Sequence, residues 1–316
     1  MNITSDPLHP IAPGLWGKKD VFVNYYFIKE ENSGEWFLVD TGLKWSASRI
    51  RMMAEKLFGK NTKPAAIILT HGHFDHVGGL RSLLELWPVP VYAHPLEIPY
   101  LAGKSSYPPA DPNVGGGMMS SMAWMYPRGP IDVHPFLKPI PANNKIPGLH
   151  EWSVIETPGH SPGHISLFRE KDRVLIAGDA VVTTKQESAI HALSYIRNVS
   201  GPPKYMTCNW ASAKISVAKI AGLNPSLIAT GHGHPMEGEE MRHALVWLAS
   251  HFDRQAMPEK GRYVNEPAVT TNDGVLYLPP RNQRVPDMIK VIAISAAVLS
   301  IAWIARPYFQ KKKLLV

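Results

Sequence analysis

Four side chains able to bind a metal ion, His71, His73, Asp75 and His76, fall in the run Thr70-His71-Gly72-His73-Phe74-Asp75-His76-Val77-Gly78-Gly79. Imidazole nitrogens and carboxylate oxygens are the donors that zinc and related divalent ions accept. Alternate residues of a loop diverge while its ends stay close. Two imidazoles can therefore face one cation while the aspartate and the third imidazole face a neighbour. A lone His-x-His arises by chance, but four donors at this spacing point to a two-metal hydrolytic site.

The elements around the cluster suit that chemistry. The apolar run Ala65 to Leu69 reads as a buried strand, and Leu80 to Leu86 has helical spacing. A strand-to-helix turn lets side chains converge on a cavity at the carboxyl ends of strands. The second half of the chain repeats the arrangement. Trp152 to Glu156 reads as a strand entering Thr157-Pro158-Gly159-His160-Ser161-Pro162-Gly163-His164. Val174 to Ala177 ends at Gly178-Asp179, and Leu227 to Ala229 enters Thr230-Gly231-His232-Gly233-His234. Each time an acid or imidazole follows an apolar strand, beside a glycine that permits close backbone approach.

The motifs His-x-His-x-Asp-His, Pro-Gly-His-x-x-Gly-His, Gly-Asp and Gly-His-Gly together resemble those of the metallo-β-lactamase-fold superfamily of metallohydrolases. The resemblance extends from Val21 to Phe252 and is nearest to the broad lactonase and glyoxalase II-like group. It implies an α/β fold, a four-layer αββα sandwich of two similar halves with the metals between the sheets. It also implies that His71, His73 and His160 hold one metal, that Asp75, His76 and His232 hold the other, and that Asp179 bridges them. Asp40, in Val39-Asp40-Thr41-Gly42, matches a further family motif and is expected to be a buried acceptor that orients the ligands. The expected cofactor is a pair of Zn2+ ions, with Mn2+ or Fe2+ as alternatives.

Two divalent cations about 3.5 to 4 Å apart share a water and bring its pKa towards neutrality. The expected nucleophile is a metal-bridged hydroxide attacking a small ester, thioester or lactone. Asp75 and Asp179 are the catalytic candidates, Asp75 as a proton donor to the leaving group and Asp179 as the bridge. One alternative is a mononuclear iron sulfur dioxygenase with His71, His160 and Asp179 on the iron; the complete second donor set opposes it. Another is a non-catalytic membrane-associated binding protein, opposed by the presence of all seven donors. A true β-lactamase is disfavoured, because Asp179 stands where many of them carry cysteine.

The other histidines are not expected to be ligands. His164 starts the strand Ile165 to Phe168 and is placed to pack beneath the ligands; His234 belongs to the pocket rim or to the scaffold. His94, after the strand Val89 to Ala93, reads as structural. His9, His134, His150, His191, His243 and His251 have no ligand context. The single cysteine, Cys208, reads as a small buried filler, and its solitude rules out a disulfide within the chain.

Tyr100 to Pro147 is irregular and rich in proline, with Gly115-Gly116-Gly117 and a methionine-rich core. So long a connection is characteristic of a lid or binding loop. Met118, Met122, Trp124 and Tyr126, with His234, are the candidate substrate-binding residues; the competing reading is a short helix packed on the core. Ala211 to Ala221 and Glu239 to Phe252 read as amphipathic helices, the latter with Met241, Leu245 and Leu248 as its apolar stripe. A turn at Asp273-Gly274 closes a small terminal extension.

The chain of 316 residues carries a net charge of +7. Residues 281–316 hold seven Lys and Arg against Asp287, so six of those charges lie in the tail. The remainder is close to neutral, which argues against a nucleic-acid partner and for a small-molecule substrate. Residues 1–7 lack the basic start and apolar run of a secretory signal, so the catalytic domain is expected in the cytoplasm. Val291 to Ala305 has no charged residue. The expected organisation is a catalytic domain over 1–278 with a lid insertion at 100–147, a linker at 279–287, a hydrophobic helix at 288–309 anchored in membrane lipid, and a basic tail at 310–316.

Overall fold

A computed structural model of the chain describes residues 10–280. Six strands form the first sheet in sequence order: β1 (Leu15–Asp20), β2 (Val23–Lys29), β3 (Trp36–Val39), β4 (Ala66–Ile68), β5 (Val91–Ala93) and β6 (Leu137–Pro139). The first two pairings are antiparallel, and β3 to β6 run parallel. The second sheet is built from β7 (Trp152–Glu156), β8 (Ile165–Arg169), β9 (Val174–Gly178), β10 (Leu227–Thr230) and β11 (Met236–Glu237), in the order β11-β10-β9-β8-β7. A separate hairpin pairs β12 (Val269–Thr271) with β13 (Gly274–Tyr277).

The period-2 alternation of these strands divides the core into layers. In β3, Trp36 and Leu38 join one apolar cluster while Phe37 and Val39 join another. In β9, Val174 and Ile176 share the second cluster while Leu175 and Ala177 enter a third. The shared cluster lies between the sheets and includes Ile68, Trp152, Val154 and Leu167. Both faces of each sheet are thus buried, which is why β2, β3, β8, β9 and β10 read as nearly continuous apolar runs.

Helices close the outer faces. Against the first sheet pack α1 (Ala47–Phe58) and, beyond the one-turn helix α2 (Phe74–Val77), α3 (Leu80–Leu86), which bury Ile50, Ala54, Leu80 and Leu83. After the short helices α4 (Ile98–Leu101), α5 (Met118–Ser121) and α6 (Ala189–Leu193), the helices α7 (Trp210–Gly222) and α8 (Gly238–Ser250) cover the second sheet with Val217, Ile220, Met241, Leu245 and Leu248. The expected four-layer order of helix, sheet, sheet and helix is present. Fully burying one such leucine, isoleucine or phenylalanine contributes about 1.5–3 kcal/mol.

Three details differ from the sequence reading. Leu137–Pro139, inside the stretch read as a lid insertion, is the edge strand of the first sheet. Within the same stretch, Met118–Ser121 forms a helical turn. The helix expected to reach Phe252 ends at Ser250. Among the described residues no helix is long and apolar enough to cross a membrane. The hydrophobic helix expected at 288–309, the basic tail at 310–316 and most of the 279–287 linker lie outside the described residues.

Candidate metal centre

Loops leaving the carboxyl ends of β3, β4, β7, β9 and β10 carry the candidate residues and bring their side chains together. Three donor groups arise there: His71, His73 and His160; His71, His76 and Asp179; Asp75, His76 and His232. In each group the donor atoms lie within 4.8 Å of one another. All seven residues proposed from sequence are therefore brought together, and all are buried.

Each loop fixes its donor from behind. Asp40 stands at the end of β3 with φ of 59°, a left-handed conformation that aspartate tolerates better than most residues. Its Oδ1 accepts the Thr70 N–H at 2.8 Å, and its Oδ2 lies 2.8 Å from His76 Nδ1. The Thr70 hydroxyl donates to the same Oδ2 at 2.7 Å and lies 3.0 Å from His71 Nδ1. One carboxylate thus orients both His76 and, through Thr70, His71. The outward nitrogen of His232 lies 2.7 Å from the Phe22 carbonyl, and that of His160 lies 3.3 Å from the Thr207 hydroxyl. Such contacts assign the proton to the outer nitrogen and leave the inner lone pair free.

Phe22 sits in the β1–β2 turn beside Val21, a β-branched residue held at φ of 63°. A side chain branched at Cβ seldom occupies that region. The loop after β10 is tied back to β2, because the Asn24 side-chain amide donates to the Thr230 and Gly233 carbonyls at 2.7 and 2.6 Å, and Tyr26 Oη donates to Thr230 at 2.7 Å. Close approach also demands glycine: a Cβ on Gly231 would stand 1.9 Å from Asp179 Oδ1.

The inner surface leaves unmet bonding capacity. His71 Nε2, His76 Nε2 and Asp179 Oδ1 are buried without a hydrogen-bond partner. Each such orphan costs about 1–3 kcal/mol, a cost that a shared cation would remove. Burial pushes His71, His73 and His160 down, His73 to about 3, so the first triad is neutral and ready to donate. Burial acts downward on His76 and His232 as well, but the Asp179 and Asp75 carboxylates outweigh it and hold both imidazoles above their ordinary range. Burial acts upward on Asp179, yet His232 and His76 hold it well below the usual carboxylate range. Asp179 Oδ2 lies 3.0 Å from His232 Nε2 and 3.3 Å from His160 Nε2. The donor chemistry fits a pair of divalent cations.

His164 precedes β8 and packs beneath the donors, where it does more than fill space. Its Nε2 accepts the Asp179 N–H at 2.9 Å, while its Nδ1 lies 2.9 Å from Thr157 Oγ1. Burial lowers it to about 4, as an acceptor imidazole requires. His94 is a local cap that accepts the Leu96 N–H. Cys208 is buried and its thiol is pushed up to about 12 by burial, which fits a filler rather than a nucleophile.

The candidate substrate residues are less uniformly placed. Tyr126 lies 5.5 Å from Phe74 by ring centroid, close enough for Asp75 to raise its pKa further beyond the effect of burial. Met122 is half-buried, and Met118 and Trp124 are exposed. His234 stacks on Tyr195 at 4.6 Å, outside the three donor groups. Sequence reasoning passed over Glu97, Tyr107, Thr207, Tyr205 and the Phe22 carbonyl, since nothing in their local sequence marks them. The one available signal was the placement of Glu97 just after a strand, as the donors are.

Asp40→Asn preserves shape but replaces one acceptor oxygen with a donor. The variant should bind divalent metal about 10- to 100-fold more weakly, measured by chelator competition on the folded protein. Unchanged metal affinity would remove Asp40 from the design of the centre.

Residues 19–232 match the sequence profile of the Metallo-beta-lactamase superfamily. The chain is 42% identical over 258 residues to the probable metallo-hydrolase YflN of Bacillus subtilis, covering 78% of this chain and 98% of that one. It is 32% identical over 212 residues to the probable metallo-hydrolase YybB of the same organism, covering 67% and 80%. Among solved structures, the BLEG-1 B3 metallo-beta-lactamase superposes with a TM-score of 0.52 at 25% identity, covering 73% of this chain and 97% of that one. By fold, by the clustering of its donors and by these matches, the chain belongs to the metallo-β-lactamase superfamily of metal-dependent hydrolases.

Proposed function

We propose that the chain is a dinuclear zinc hydrolase of a small ester, thioester or lactone. The observation that carries this reading is the convergence of seven buried donors, among which His71 Nε2, His76 Nε2 and Asp179 Oδ1 have no hydrogen-bond partner. His71, His73 and His160 would hold one ion, Asp75, His76 and His232 the other, and Asp179 both. When bound, such a pair supplies a Lewis acid for a carbonyl oxygen and acidifies water near neutral pH. A hydroxyacylglutathione hydrolase of Klebsiella pneumoniae is 28% identical over 158 residues, covering 50% of this chain and 47% of that one, which favours a thioester among the candidates.

The residues of the chain divide the remaining work. His164 holds the backbone of Asp179, and Asp40 holds His76 and Thr70, so the carboxylate and imidazoles need no rearrangement as charge develops. Asp75 Oδ2 lies 3.5 Å from His232 Nε2, and burial raises its carboxyl against the pull of His76 and His232. That carboxyl is suited to return a proton to a leaving group. In this reading Tyr126, whose ring lies 5.5 Å from Phe74, would line one side of the mouth together with Met122, Met118 and Trp124. Tyr195, exposed and stacked on His234, would offer a second side. A substrate carrying an apolar group suits this mouth. The uncharged run 291–305 supports a further proposal, attachment to membrane lipid with the enzyme on the cytoplasmic side.

Three experiments test these readings. Lactones, thioesters, phosphodiesters and β-lactams should be offered to the protein and to Asp179→Ala; the substitution should abolish turnover and deplete zinc. A fully active Asp179→Ala, or native protein that carries one iron and forms sulfite, would overturn the hydrolase. Trp124→Ala should raise KM for an apolar substrate several-fold with kcat and metal content unchanged, and identical kinetics would remove this lining. A chain ending at Pro280 should keep metal and turnover while leaving the membrane fraction; partition identical to that of the full chain would sink the anchor.

A further inference from the structure

Glu97 belongs to none of the three donor groups, yet it holds the two loops that carry the whole of the first triad. It ends the 3-10 turn Pro95–Glu97 that follows β5, and it is fully buried. Its Oε2 accepts the Gly72 N–H at 3.0 Å together with the Tyr107 hydroxyl. Its Oε1 accepts the Ser161 hydroxyl at 2.9 Å and the Gly163 N–H at 2.7 Å. Gly72 separates His71 from His73, and Ser161 follows His160. A single rigid carboxylate thus spans the loop after β4 and the loop after β7.

The packing leaves this clamp no slack. A Cβ at Gly72 would stand 2.3 Å from Tyr107 Oη, and one at Gly163 would stand 3.0 Å from Glu97 Cγ. Glu97 has no ion pair among the described residues, so only these four neutral donors offset the cost of burying it. A packed apolar side chain would avoid that cost but could not accept from both loops. On the inner side of the clamp, His73 Nδ1 and His160 Nε2 come within 3.0 Å of each other.

We propose that Glu97 is a positioning residue whose carboxylate fixes the His71–His73 loop against the His160 loop and so sets the geometry of the first triad. This rests on the metal-centre reading above. The second set is held by other means, His76 by Asp40 and His232 by the Phe22 carbonyl. Loss of the clamp therefore weakens one of two binding steps and spares the other. Asp40 reaches His76 directly and His71 through Thr70, so its loss weakens both.

The test titrates Co2+ alone into the metal-free full chain, reading stoichiometry by elemental analysis and ligand geometry by visible absorption. Wild type should take up two ions. Glu97→Gln turns one accepting oxygen into an amide NH2 that faces donors, and it should weaken one step at least about 10-fold and alter the bands of that step alone. Tyr107→Phe removes one donor, keeps its ring against Tyr100 at 3.9 Å, and should weaken the same step by less. Circular dichroism checks folding, and if Glu97→Gln does not fold, Tyr107→Phe decides. Wild-type binding in the folded variants, or equal weakening of both steps, would overturn the role of Glu97. A wild-type chain that takes up no Co2+ would overturn the metal centre, and this positioning role with it.

Discussion

Everything at the mouth of this sandwich depends on holding buried donors in place from their outer side. Seven imidazoles and carboxylates are gathered in a space where water cannot solvate them. Left free, they would rotate towards solvent. The structure prevents this by engaging the outward atom of His71, His76, His160 and His232, each against a hydroxyl, carboxylate or carbonyl of the frame. The inward atoms face one another at close range, His73 Nδ1 with His160 Nε2 and Asp179 Oδ2 with His232 Nε2 each at 3.0 Å, while His71 Nε2, His76 Nε2 and Asp179 Oδ1 find no hydrogen-bond partner. The sheets matter to function mainly because they hold those outer partners at fixed positions, and the unmet capacity inside is a reservoir that favours a cation.

The same logic accounts for the split in protonation. Where imidazoles face mainly other imidazoles, burial dominates and pushes them down; where they face carboxylates, the carboxylates outweigh burial and push them up. Two unlike halves are thereby built from similar side chains. Asp179, drawn towards both, is oriented through its backbone by His164 and given room by Gly231.

Much of this was legible in the sequence, for a physical reason. Each donor follows an apolar strand directly, so strand patterning and ligand type coincide within a few residues, and His71 to His76, His160, Asp179 and His232 could be read in place. The layer order came from the resemblance those motifs carry, not from the strand pattern itself. What could not be read depends on contacts between distant segments. Phe22 acts through a carbonyl, which every residue possesses, and its aim comes from the backbone of Val21. Thr70, Thr157 and Thr207 are ordinary residues until pairing sets them behind a histidine. Glu97 accepts from two loops far apart in the chain. The strand β6 escaped notice because Leu137-Lys138-Pro139 is short, half-exposed and without alternation, as an edge permits.

That edge strand has a consequence for how the enzyme can diversify. Since β5 and β6 are parallel neighbours, the excursion between them begins and ends at points fixed by the first sheet. The entropic cost of closing such a loop grows slowly with its length. Its first part, through Glu97 and Tyr107, is committed to the donor loops, and Asp111 is bound to the Arg262 backbone. Residues 112–125 make no hydrogen bond to the donor loops, whereas Tyr126 packs on Phe74 and the Arg128 carbonyl accepts the Tyr107 N–H. Residues 112–125 form a natural cassette, a span in which insertions, deletions and exchanges can re-specify the mouth while the inorganic chemistry beneath is inherited unchanged.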